Sequence, residues 1–104
     1  ALAQTGNLQA ALAAYQGAVG LAPDIPDYWR LLASFSARYE YQIAAAGLPA
    51  ARRAVALDPG SPANLDVLGQ VLLLLQDFTN AERFFQRAVD ADPSYAALRK
   101  SLGR

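Results

Sequence analysis

Ala18-Val19-Gly20-Leu21-Ala22-Pro23, Ala54-Val55-Ala56-Leu57-Asp58-Pro59 and Ala88-Val89-Asp90-Ala91-Asp92-Pro93 are three readings of one phrase, Ala-Val-x-x-x-Pro. The three prolines stand 36 and 34 residues apart. Self-similarity at that period marks a helical repeat array, in which each repeat is one pair of helices. Such arrays are usually binding surfaces and seldom enzymes.

The residues between the phrases support helices. Ala and Leu dominate and β-branched residues are sparse, which favours helix. Gly and Pro cluster at the breaks. Gly6-Asn7 is expected to part a short leading segment from a helix over Leu8–Leu21. Asp24 is a candidate N-cap, and Pro26 suits the first turn of a helix running to about Ala45. Gly47 would terminate that helix and Pro49 would open the next, to Leu57. Ser61 can cap a helix that Pro62 opens, running to Gln76. Thr79-x-x-Glu82 reads as a capping box for a helix to Ala91, because the Thr oxygen and Glu carboxylate can satisfy orphan N–H groups reciprocally. A last helix would begin over Tyr95–Leu102.

The pattern resembles the tetratricopeptide repeat, W-x₂-L-G-x₂-Y…A-x₃-F…P. In Pro62–Tyr95, Leu65 takes the Trp place and Leu68-Gly69 the Leu-Gly pair. Leu72 takes the Tyr place, and Ala81-x₃-Phe85 and Pro93 complete the unit. The unit 26–61 keeps Trp29 and Leu32, has Ala33 for Gly and Ser36 for Tyr, and is two residues longer. Counting back from Pro59 puts Gly47 and Ala51 where Ala and Phe are expected. An extended first helix through Tyr39–Ile43 is the expected cause, with Tyr39, Tyr41 and Ile43 as candidates to fill the space left at Ala51. The opening segment keeps Leu2, Gly6, Ala11-x₃-Tyr15, Ala18 and Pro23. Leu102-Gly103 falls where a further unit would begin.

The resemblance implies an all-α fold: an α-α superhelix, a right-handed solenoid of antiparallel helix pairs. One domain, 1–104, would comprise a partial repeat (1–25), a repeat with a two-residue extension (26–61) and a full repeat (62–95). Residues 96–104 would start a further repeat or form a capping helix. Two full units are fewer than the three or so that stability usually needs. A piece of a longer protein is therefore expected, with apolar array ends able to self-associate.

Composition narrows the function. Nine acids balance nine bases, so no electrostatic argument for nucleic acid or an anionic membrane arises. There is no Cys, His or Met. No disulfide framework or thiolate metal site is available, and the commonest acid–base group is missing. No phosphate-binding Gly loop or Ser nucleophile motif appears. Asp58, Asp77 and Asp92 fall at expected helix ends, where capping explains them. Neither a catalytic residue, a metal site nor a cofactor is assigned. The longest wholly apolar run, Val71–Leu75, is far too short to span a bilayer. Eight of the nine bases are Arg, which with the Ala content suggests a GC-rich bacterial coding bias. Nothing names a compartment, and the cytoplasm is the default.

In the family that the pattern resembles, the first helix of each pair lines a concave face. Helical spacing then selects Asp27, Arg30, Ser34, Arg38 and Tyr41 in one unit, and Ala63, Asp66, Gln70, Leu73 and Leu74 in the next. The expected partner is a protein: an extended peptide or a helix of unknown identity, with two Arg available for a carboxylate. A solvated polar face in which Arg30 pairs with Asp66 is the competing reading. Arg30 and Ser34 sit where some family members place a Lys and an Asn to clamp a C-terminal carboxylate, and no matching Asn follows, so that clamp is not expected. Leu73, Leu74 and Leu75 exceed what one buried face needs. They suggest a greasy groove floor or a self-association surface, unless the tail and the extended middle helix cover them. Tyr15, Trp29, Phe35, Tyr39, Tyr41, Phe84 and Phe85 recur at the spacing of helix–helix contacts and are assigned to the core. A structural spacer or oligomerisation segment of a larger repeat protein is the alternative to an interaction scaffold.

Overall fold

The computed structural model describes residues 2–96, with side chains from Gly6 onward. Its elements are α1 (Leu2–Leu21), α2 (Pro26–Tyr39), a π-helical turn (Ile43–Gly47), α3 (Leu48–Leu57), α4 (Pro62–Leu74) and α5 (Phe78–Ala91). No strand occurs among the described residues. The architecture is an all-α helical repeat: α2 with α3 forms one pair, α4 with α5 the next, and α1 packs on α2. Tyr95 and Ala96 are helical. The rest of the expected last helix lies outside the described residues.

Pro26 and Pro62 occupy the first turns of α2 and α4, where a missing N–H costs nothing. Ser61 caps α4, its Oγ accepting from Asn64 N at 3.2 Å. Three expected boundaries are corrected. Residues 2–21 form one continuous helix, because Gly6 lowers helix propensity without breaking the backbone. The residue before α2 is Ile25, which makes no side-chain cap, so Asp24 does not cap it. Nor does Thr79 begin a capping box. α5 starts two residues earlier than such a box requires, and Asp77 is its cap, accepting from Asn80 N at 3.4 Å.

The middle unit departs most from expectation. α2 does not run on through Ile43; it ends at Tyr39. Glu40 turns left-handed at φ 48°, and Gln42 does so again at φ 55°. The N–H of Glu40 donates to Ala37 O and that of Tyr41 to Ser36 O. These bonds form a Schellman cap, with Glu at the position where Gly is usual. α4 ends the same way 36 residues later: Gln76 is left-handed at φ 66°, Gln76 N donates to Leu73 O and Asp77 N to Leu72 O. Ser36 Oγ closes the first cap by donating to Tyr41 O.

Gly47 is not a terminator either. It is the last residue of the π turn, in right-handed helical conformation, and α3 follows directly. Its role is a close approach: a Cβ there would stand 2.7 Å from Ser36 Oγ. Ser36, small where the pattern has Tyr, and Gly47 thus let α2 and the segment leading into α3 come together. Ala51, in the Phe place, is wholly covered. Ile43 packs against the core, Tyr41 meets Phe35 edge-on at 6.4 Å, and Tyr39 is half exposed.

The core runs along one seam: Leu32, Ala33 and Ala37 of α2, Ala50 and Ala51 of α3, Leu68, Val71 and Leu72 of α4, Ala81 and Phe85 of α5. Each large buried side chain contributes roughly 1.5–3 kcal/mol. The aromatic residues sit as helix–helix contacts: Tyr15 and Phe35 lie 5.1 Å apart, centroid to centroid, joining α1 to α2. Trp29 Nε1 donates to Pro23 O at 2.8 Å and ties the start of α2 to the loop before it.

Candidate functional site

α2 and α4 lie side by side, and a groove of about 420 Å³ opens between them. Its lining is Ser34, Ala37 and Arg38 from α2, Gln70, Leu73 and Leu74 from α4, and Phe85 from α5. Helical geometry explains the set. Ser34, Ala37 and Arg38 are three and four residues apart, as are Gln70, Leu73 and Leu74, so each trio forms one stripe. Subtracting 36 from 70, 73 and 74 gives 34, 37 and 38, so the two stripes are the same repeat positions.

The chemistry is mixed. Leu73 and Leu74 remain 38 % and 37 % exposed, which is high for Leu beside a packed core. Arg38 is exposed, makes no ion pair among the described residues, and lies over the Tyr39 ring at 5.8 Å. Ser34 adds a hydroxyl and Gln70 a carboxamide. The site thus offers apolar floor, one available cation and two neutral hydrogen-bonding groups.

Beneath this surface the polar residues are tied to one another. Asp66 is 6 % exposed, and Gln70 Nε2 donates to its Oδ2 at 2.6 Å. Burial raises its pKa above the ordinary 3.8, with the Gln70 hydrogen bond pulling the other way. Arg30 does not pair with Asp66. Its Nη1 donates to Asp27 Oδ1 at 2.9 Å and to Asn64 Oδ1 at 3.2 Å. Asn64 is the hub: 1 % exposed, it also donates from Nδ2 to Ala54 O at 3.1 Å.

Of the residues selected by spacing, Ser34, Arg38, Gln70, Leu73 and Leu74 come together in the groove. Asp27 and Arg30 form an ion pair nearer the N-terminal end of α2. Asp66 supports Gln70 from below, and Ala63 lies outside the lining. Tyr41 follows the left-handed turn and packs on Phe35. Leu75 is only partly buried, against the core. Spacing alone missed Ala37, Phe85 and Asn64. The groove takes Phe85 from the second helix of its pair, which a first-helix stripe leaves out. Asn64 had a signal, a lone amide beside Leu65 in an otherwise apolar first turn.

Among the described residues no cluster of carboxylates could hold a metal ion, and no helix is long and apolar enough to cross a membrane. A family model described as tetratricopeptide repeat matches residues 1–62 and again 44–96. No curated protein matches the chain.

Proposed function

Because the chain belongs to the tetratricopeptide repeat family, whose members are generally protein-interaction scaffolds and typically not catalytic, we propose that it is a non-catalytic scaffold. It would bind a peptide or a partner helix in the groove between α2 and α4. One observation carries this reading. Two repeat-equivalent stripes converge on one groove, and that groove keeps two Leu and an Arg without an ion pair among the described residues open to solvent. A volume of about 420 Å³ is within the range of ligand-binding clefts and fits one or two anchoring side chains. Leu73, Leu74 and Phe85 would take the apolar anchor, Arg38 an acidic group or a carbonyl, and Ser34 and Gln70 the peptide backbone. Asp27, Arg30, Tyr41 and Asp66 would shape the groove's surroundings. The remaining boundaries of the reading follow the repeats: a partial unit over 1–25, whole units over 26–61 and 62–95, and the start of another from 96.

The experiment is selection of a random peptide library on the immobilised chain. Binders are then titrated by calorimetry against wild type and an Arg38→Ala/Leu74→Ser variant of unchanged helicity. Loss of about tenfold or more in affinity is expected, since a charge-assisted bond and a buried Leu each contribute on the order of 1.5–3 kcal/mol. Equal binding to both proteins refutes the groove.

A second reading, a structural or oligomerising segment of a larger repeat protein, is favoured by a different surface. Ala14, Tyr15, Ala18, Tyr28 and Leu31 line an apolar hollow of about 290 Å³ between α1 and α2. Tyr28 is 41 % exposed, whereas Asn64, its equivalent in the next unit, is buried under the preceding pair. A sedimentation series over concentration separates the two: association that Leu31→Lys abolishes supports the second.

A further inference from the structure

Arg30, Arg38, Arg52, Arg53, Arg83 and Arg87 are the arginines of the described residues. Four have a partner within the fold. Arg30 is ion-paired to Asp27, Arg38 lies over Tyr39, Arg53 over Trp29 at 5.9 Å and Arg87 over Phe84 at 5.1 Å. Arg52 and Arg83 make no ion pair, hydrogen bond or ring contact among the described residues. These two line the same cleft. It measures about 270 Å³ and is completed by Leu68 and Leu72 of α4 and by Asn80 and Phe84 of α5.

The cleft is separate from the groove. At about 100° per residue, Leu68 and Leu72 point from the side of α4 opposite to Gln70, Leu73 and Leu74. Arg52 stands on α3, which carries no acidic residue, and Arg83 on α5. At one end, the side chain of Asn80 is fixed by donating from Nδ2 to Asp77 Oδ2 at 2.9 Å. The cleft therefore presents two free guanidiniums on opposite walls over an apolar floor, with a pinned carboxamide beside them.

We propose that this cleft is a second binding site, and that it takes an acidic segment of a partner protein. A carboxylate sits between Arg52 and Arg83, whose planar forks match it bidentately. The apolar residue next to that acid lies against Leu68, Leu72 and Phe84. Nucleic acid is the poorer match, because tracking a phosphate backbone needs a stripe of cations, and here two face a leucine floor with the Asp77 carboxylate close by.

The test uses the whole chain and a defined probe, acetyl-Gly-Glu-Leu-Glu-Gly-amide, beside the same peptide with Gln for Glu. Binding is followed by ¹⁵N NMR of the Asn80 carboxamide and the Arg Nε–H groups. The acidic peptide is expected to shift Arg52, Arg83 and Asn80, with the Gln peptide at least about tenfold weaker. Arg52→Ala/Arg83→Ala should weaken it by about tenfold or more, and Arg52→Lys/Arg83→Lys by less, since charge remains and the fork is lost. The control is Arg53→Ala/Arg87→Ala, which removes equal charge from the same two helices and should retain binding. Equal weakening by both Ala doubles overturns the proposal in favour of diffuse attraction. Shifts centred on Leu73 and Leu74 overturn it in favour of the groove. Inorganic phosphate binding as tightly as the peptide overturns the acidic-segment assignment. Should the Ala double fail to fold by circular dichroism, Lys-double binding equal to wild type also overturns it.

Discussion

Gly69→Ala tests the packing of the second pair most directly. Gly69 lies inside α4, where Ala is the better helix former by about 1 kcal/mol. Propensity alone thus predicts a gain. The surroundings predict a loss. A Cβ at Gly69 would stand 2.7 Å from both Cδ1 and Cε1 of Phe85 and 3.1 Å from Cζ. Carbon atoms prefer about 3.5–4.0 Å, so the ring must retreat by close to an ångström. Phe85 is 7 % exposed and wedged in the core, and it lines the groove. Overpacking of this kind costs about 1–3 kcal/mol. Set against the propensity gain, the net loss is about 1 kcal/mol. In a Phe85→Leu background the ring is gone and the propensity gain should reappear, so the coupling between the two sites is about 2 kcal/mol. Urea unfolding followed at 222 nm for the four proteins of this double-mutant cycle measures it. Coupling below about 0.5 kcal/mol would refute the argument, since the ring would then not be what excludes a Cβ. A peptide that binds the groove should also lose affinity for Gly69→Ala, because the displaced ring moves into the site.

Three further outcomes are expected. Gln76→Gly and Glu40→Gly should each stabilise by about 0.5–1 kcal/mol, the relief of a left-handed side chain less the entropy glycine adds to the unfolded chain, seen as a higher Tm. Asn64→Ala should cost about 2 kcal/mol or more, because Ala54 O loses its side-chain donor and Arg30 an acceptor; chemical unfolding gives the value. Asp66→Asn should raise stability at neutral pH. The folded-state pKa of Asp66 lies above 3.8, so its ionisation is easier in the unfolded chain, and stability falls as pH rises through that window. The Tm advantage of Asp66→Asn should therefore shrink as pH falls through the raised folded-state pKa toward 3.8 and be gone below it, and an advantage independent of pH would sink the assignment.

The repeat period and the family were legible because they rest on residues with strong local preferences: Pro at first turns, Ala where helices meet, Ser61 as a cap. The ends of α2 and α4 were not. Both turn at residues, Glu40 and Gln76, whose side chains disfavour the left-handed backbone they adopt. Nothing in their identity announces it; the hydrogen bonds of the surrounding caps impose it. Gly47 misled for the complementary reason. Glycine reads as punctuation, yet here it serves contact with Ser36 inside continuous helix. The groove was half legible. Its stripes follow from spacing, but the inward reach of Phe85 and the burial of Asp66 depend on how the pairs stack. Arg30 shows the limit of pairing by charge: Asp27, three residues before it on its own helix, and the Asn64 amide hold it instead of Asp66.

Asn64 has one more consequence. In a repeat array stability is a sum of each unit's own term and the terms at its boundaries, so the array comes apart first where a boundary is weak. Here a single buried amide bonds the backbone of α3 and the side chain of an α2 arginine while belonging to α4. Neither unit can let go without stripping the other of a directional contact. The two units should therefore melt in one step, and an array built on this boundary would resist unzipping there.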